Sequence, residues 1–263
     1  MTLKEHRVSV RDGMFNVTVY RGGAGDPLVY LHAAGGMQRP GDPFLGLLAQ
    51  KYDLIVPVHP GWPGSDGLEH LDDVVDMAVY YADFFDAMGL DSFNLMGSSL
   101  GGMFAAEIAA LDRQYVRKLV LHSPAGLWLD QHPPLDFFAA PPDVMLKALY
   151  VNPDKVMAAM PQVDPQDQEA IIRATLDRAM SLAASGKFIW PIWDKGLKKR
   201  IHRISAPTLL IWGDQDGLNP PVYGHHWQKL IDGSSLATIP GTAHAPMAEK
   251  PEAFVKAVTD FLG

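Results

Sequence analysis

The chain has 263 residues, 48% of them hydrophobic and 20% charged, which is enough for a sizeable core and excludes a disordered chain. Its 22 Lys and Arg against 30 Asp and Glu give a net charge of −8, which speaks against a nucleic-acid-coating surface, because neutralising phosphates takes clustered Lys and Arg. With no cysteine there can be no disulfide framework, thiolate metal site or thiol nucleophile, so any covalent catalysis must use another side chain. The N-terminus, Met1 to Arg7, lacks the apolar stretch of a secretory signal, and no window approaches 18 apolar residues. The expectation is a soluble, cytoplasmic protein with neither membrane nor nucleic acid as partner.

Arg7 to Tyr20 reads as a hairpin: Val8 to Val10, a turn at Asp12-Gly13, then Phe15 to Tyr20 with alternating β-branched residues. After Gly22, Gly23 and Gly25 the pattern becomes short apolar strands separated by helical stretches. The strands are Pro27–Leu31, Leu54–Val56, Ser92–Met96, Lys118–Leu121, Thr208–Trp212 and Leu236–Ile239. Helices are expected over Leu71–Met88, over the Ala-rich Gly101–Leu111, and over Pro251–Leu262, where Pro251 takes the favoured first helical position. Strands alternating with helices imply an α/β fold with a mostly parallel central sheet covered on both faces.

The alternation fails between about Leu127 and His202. Pro133, Pro134 and Pro141 crowd its start, and Asp164 to Ala184 has helical periodicity, with Ile171, Ile172, Leu176 and Met180 along one face. The expected organisation is a core from residues 1–126 and 203–263, with 127–202 a mostly helical insertion over the carboxyl edge of the sheet. Trp128, Met145, Trp190 and Trp193 are the candidates for lining a substrate pocket there, since pockets are mostly apolar and favour such boundaries.

Gly97-Ser98-Ser99-Leu100-Gly101-Gly102 follows an expected strand and opens an expected helix. This is Gly-x-Ser-x-Gly on a strand-to-helix turn, which holds a serine hydroxyl above the sheet. Gly97 and Gly101 make Ser99 the central residue, whereas Ser98 would need glycine where Met96 stands. A serine hydroxyl needs a base, and His244 lies in the loop between the last strand and the last helix, at the same edge of the sheet. His122 also follows a strand and is the main rival. His6, His70, His202, His225 and His226 lie in terminal or polar helical contexts. The base needs a third group to hold its tautomer. The loop after Trp212 offers Asp214 and Asp216; Asp216 lies further into the loop, and Asp214 is better suited to the turn itself. One oxyanion donor should be the N–H of Leu100, next after the nucleophile. A second should come from the small residues His32-Ala33-Ala34-Gly35-Gly36 after the strand ending at Leu31.

The motifs His32-Ala33-Ala34-Gly35, His59-Pro60-Gly61-Trp62-Pro63-Gly64-Ser65, Gly97 to Gly101, Gly213-x-x-Asp216 with Pro220, and Ala243-His244 followed by Glu249 and Pro251 resemble the α/β-hydrolase fold family over essentially the whole length, in the group with a helical cap. The resemblance implies Ser99 as nucleophile, Asp216 as acid, His244 as base and Ala34 as second oxyanion donor. It departs at Ala33, where glycine is usual, and at His59, where many members carry Asp; His59 reads as structural. The serine at the elbow sets the chain apart from haloalkane dehalogenases and epoxide hydrolases, which look for Asp there. The expected function is a serine hydrolase acting on a small or medium, largely apolar carboxylic ester, with no metal or organic cofactor. The alternatives are a hydrolase of a carbon–carbon bond in a meta-cleavage-type diketone, to which the Gly101-Gly102 pair points, a lactonase, thioesterase or perhydrolase, and a ligand-binding receptor that turns over little.

Overall fold

A computed structural model describes residues 2–37, 41–160 and 163–263. Strands β1 (Lys4–Val10) and β2 (Phe15–Gly22) pair antiparallel with Val8 opposite Val17, and Arg11, Asp12 and Gly13 take positive φ to close the turn. There follow β3 (Pro27–Leu31), α1 (Pro43–Leu48), β4 (Asp53–Pro57), α2 (Val74–Ala87), β5 (Phe93–Ser98), α3 (Leu100–Leu111) and β6 (Val116–His122). Helices α4 (Pro142–Leu149), α5 (Pro153–Ala159) and α6 (Gln168–Ile189) come next, and then β7 (Thr208–Gly213), α7 (Val222–Leu230), β8 (Ser235–Ile239), α8 (Pro246–Glu249) and α9 (Pro251–Leu262).

The eight strands form one sheet in the order β1-β2-β4-β3-β5-β6-β7-β8. β2 meets β4 antiparallel, and every pairing from β4 to β8 across the sheet is parallel. This is the mostly parallel α/β sheet expected. Its inner strands are apolar and buried along nearly their whole length because helices cover both faces. Leu119 and Leu121 of β6 pack toward α2 and α3, whereas Val120 between them packs toward α1 and α9.

Helix α2 begins at Val74, three residues later than its periodicity suggests, because Asp73 caps it by accepting from the N–H groups of Val75 and Asp76. His70 closes a short 3₁₀ turn instead of opening a helix. The six-residue α1 has no periodic signal in the sequence, being too short to repeat a face. Between β6 and β7, segment 127–202 holds α4, α5 and α6. The stripe Ile171, Ile172, Leu176 and Met180 on α6 is exposed, and its buried face is Ser181, Ala184, Ser185 and Phe188. Among the described residues, no helix is long and apolar enough to cross a membrane.

Candidate active site

Ser99 occupies the single position between β5 and α3, at φ +53° and ψ −111°, a backbone that a residue with a side chain rarely adopts. The turn is held by the Ser99 N–H donating to the His122 carbonyl (2.8 Å) and by the Ala125 N–H donating to the Ser99 carbonyl (3.0 Å). It also needs glycine on both sides. A Cβ at Gly97 would collide with the Gly101 carbonyl, and one at Gly101 with the carbonyls of Leu31 and His32. The Leu100 N–H, at the first position of α3, has no intrahelical acceptor and lies at the positive end of the helix.

Asp216 and His244, on the loops that follow β7 and β8, meet through their side chains. His244 Nδ1 donates to Asp216 Oδ2 at 2.8 Å, and both side chains are buried. Asp216 also accepts from Ser123 Oγ (2.7 Å) and from the N–H groups of Leu218 (3.0 Å) and Asn219 (2.8 Å). With Nδ1–H committed to the carboxylate, His244 keeps Nε2 as the basic nitrogen. Asp214 stands apart. Its Oδ1 accepts from Gly241 (2.7 Å) and Thr242 (3.3 Å), which ties the loop of β7 to the loop carrying His244.

Ser99 and His244 open onto one cavity of about 280 Å³. Ala33, Ala34 and Gly35 form one wall, with Ala34 the expected second donor. Segment 127–202 supplies the facing wall, including Phe137, Met145, Leu149, Leu182, Ile189 and Trp193, with the exposed Arg178 at the rim. Of the four pocket candidates, Met145 and Trp193 are in this wall; Trp128 and Trp190 are not. Trp190 lies one step past the end of α6, turned away from the inward-facing Ile189; it is 51% exposed, and its ring edge meets Phe138. The Trp128 indole N–H donates to Asp130 at 3.0 Å, outside the cavity. Among the described residues, no three His, Asp or Glu side chains are grouped to hold a metal.

A family model described as the alpha/beta hydrolase family matches residues 28–257. The chain belongs to the alpha/beta hydrolase family. It is 26% identical over 253 residues to 2-hydroxy-6-oxo-6-(2'-aminophenyl)hexa-2,4-dienoic acid hydrolase of Metapseudomonas resinovorans, covering 91% of this chain and 85% of that one. It is 27% identical over 176 residues to pimeloyl-[acyl-carrier protein] methyl ester esterase of Neisseria meningitidis, covering 64% of this chain and 56% of that one. The fold is shared with a bacterial membrane phospholipase A at a TM-score of 0.79 and 24% identity, over 99% of this chain and 86% of that one. This alpha/beta hydrolase is therefore an enzyme, and its relatives include both esterases and carbon–carbon bond hydrolases.

The contacts that join segment 127–202 to the site carry no sequence signal of their own. The Ala34 carbonyl accepts from the Trp62 indole (3.0 Å) and from Ser185 Oγ on α6 (3.1 Å), so segment 127–202 touches the loop that faces Ser99. Ala148 and Leu149, at the end of α4, accept from Gly217 (3.2 Å) and Ala245 (3.1 Å), the residues that follow Asp216 and His244. Glu249 joins the two layers again, accepting from Val151 and from Ala243, both at 2.7 Å.

His32 and His59 lie beneath the loop with ring centres 3.7 Å apart and planes tilted by 40°. The His59 N–H donates to His32 Nε2 (3.1 Å), His32 Nδ1–H donates to the Ala33 carbonyl (2.8 Å), and His59 Nε2–H donates to the His32 carbonyl (2.9 Å). The Tyr81 hydroxyl then donates to His59 Nδ1. Each ring is a neutral tautomer with both nitrogens used. Burial pushes His32 down to about 4 and His59 well below the usual imidazole range, and the neighbouring His32 lowers His59 further. His59 is a strut under the loop that carries Ala34.

Proposed function

We propose that this alpha/beta hydrolase cleaves a carboxylic ester of a small to medium, largely apolar substrate through an acyl-enzyme on Ser99. What carries the reading is the 2.8 Å bond between His244 and the fully engaged Asp216, on loops that share an apolar cavity with a serine at a strained elbow. His244 Nε2 takes the Ser99 proton while Oγ attacks the ester carbonyl carbon. The oxyanion is stabilised by the N–H groups of Leu100 and Ala34. When the tetrahedral species collapses, the ester C–O bond breaks and the alkoxide leaves with the proton from His244. A water molecule then gives a proton to Nε2 and attacks the acyl carbon, releasing the acid and restoring Ser99. Segment 127–202 acts as the cap that excludes bulk water and selects the acyl group, and the cavity of about 280 Å³ limits the substrate to a compact one.

Hydrolysis of p-nitrophenyl esters from acetate to octanoate tests this. Turnover is expected in the wild type, with a loss of roughly 10⁴-fold or more in kcat for Ser99→Ala. Undetectable turnover, or turnover unchanged in Ser99→Ala, contradicts it.

The second reading is hydrolysis of a carbon–carbon bond in a dienoic diketone. It is favoured by the 26% identity over 91% of the chain to a hydrolase of that kind and by Gly101-Gly102 after the elbow. Loss of the visible chromophore of a 2-hydroxy-6-oxodienoate, faster than any ester is cleaved, would favour it over the esterase.

A further inference from the structure

Among the described residues, four side chains hold buried polar atoms without a hydrogen-bond partner: Tyr80, His122, Asn219 and Trp227. Of these, only His122 lines the cavity. It ends β6, opposite Ser98 in the parallel register, and is 1% exposed, with both ring nitrogens unpaired. Its ring stands edge-on to Phe254 at 5.4 Å, and its centre is 5.8 Å from that of His244. Ser98 lines the cavity beside it and accepts from the Tyr30 hydroxyl at 3.2 Å, which leaves the Ser98 proton free to be donated elsewhere.

An unpaired buried imidazole is penalised unless a partner arrives, and such groups persist where function uses them. Burial, and after it the charge of His244, drives the His122 pKa far down, with the His244 carbonyl opposing. The ring is therefore neutral, with one N–H that has the His244 carbonyl near it and one lone pair left open. It has no cation for a carboxylate. Its natural partner is a hydroxyl, which can donate as well as accept.

We propose that His122 and Ser98 form an oxygen-binding subsite in the floor of the cavity, and that His122 selects esters carrying a hydroxyl within a few bonds of the scissile carbonyl. The subsite rests on reading the cavity as the place of acyl transfer. His122 is a specificity-determining residue there; His244 remains the base.

The test is kcat/KM for ethyl butanoate against ethyl 2-, 3- and 4-hydroxybutanoate and 2-hydroxyethyl butanoate. At least one hydroxylated ester should be preferred by about tenfold, the worth of one neutral hydrogen bond. The preference should fall to near unity in His122→Phe, which keeps the ring against Phe254 but removes both nitrogens, and should persist in His122→Gln. The unfolding temperature of His122→Phe should hold or rise, because an unpaired polar group has been removed. No preference in the wild type, or a preference unchanged in His122→Phe, overturns the proposal. So does an equal loss for all five esters, which would make His122 a support for His244. Calorimetric binding of the same esters to Ser99→Ala separates this from the esterase reading. If the wild type cleaves no ester, that reading fails alone, and the subsite stands or falls on whether Ser99→Ala binds a hydroxylated ester more tightly and loses that preference with His122→Phe.

Discussion

Asp216 accepts four hydrogen bonds, from Ser123, Leu218, Asn219 and His244. Three of those donors fix the carboxylate before catalysis, so the imidazole meets an acceptor that has no other orientation. Asp216→Asn should lower kcat by about 10⁴-fold by destabilising the working tautomer of His244, with KM little changed, in steady-state ester hydrolysis. Ser123→Ala removes one donor and leaves Oδ2 to His244, so a fall of roughly tenfold in kcat is expected. Asp216 and His244 could be picked out from the sequence because each lies in a loop just after an apolar strand, where side chains gather at one edge. Ser123 could not be picked out that way. Its hydroxyl reaches Asp216 through the pairing of β6 with β7 and an unusual backbone at φ +38°, and neither leaves a trace in composition.

At the scale of elements, α3 is held from below by an ion pair. Glu107 is fully buried, and Arg200 donates to it through Nε and Nη2, both at 2.7 Å. Arg200→Ala leaves that carboxylate buried without its partner and should destabilise the fold by about 3–5 kcal/mol in urea unfolding, whereas the paired change Glu107→Leu with Arg200→Met should recover much of the loss. The periodicity of helix α6 was legible, but the stripe of Ile171, Ile172, Leu176 and Met180 that marks it is exposed. The buried face uses Ser181, Ala184 and Ser185 because the helix must approach the Ala34 carbonyl closely, and only small side chains permit the 3.1 Å contact from Ser185. The same crossing turns Ile189 into the cavity and Trp190 out of it.

Among the described residues, His32, His59 and His122 are buried and held neutral by that burial. In the unfolded chain they bind protons near the ordinary imidazole value of about 6.5, whereas in the folded chain His32 does so only near 4 and burial holds the other two well below the ordinary value. The unfolded state thus binds more protons as the pH drops below 6.5. Stability present above that pH is lost as it falls, at about 1.4 kcal/mol per pH unit for each histidine, until the folded pKa is passed. Denaturant midpoints should hold between pH 8 and 7 and fall steeply between 6 and 5; a flat profile there would contradict neutral burial. The mostly parallel sheet was readable in outline because its inner strands are buried apolar runs separated by helices. The cavity was not, because its walls come from segments joined only by contacts such as Ala148 to Gly217 and Glu249 to Val151.

Whether Ser99 is an activated oxygen nucleophile is decided by intact-protein mass spectrometry after exposure to a fluorophosphonate. One adduct per chain is expected, mapped by proteolysis to Ser99, absent in Ser99→Ala and strongly slowed in His244→Ala. No adduct in the wild type, or the same adduct in Ser99→Ala, would contradict an activated Ser99.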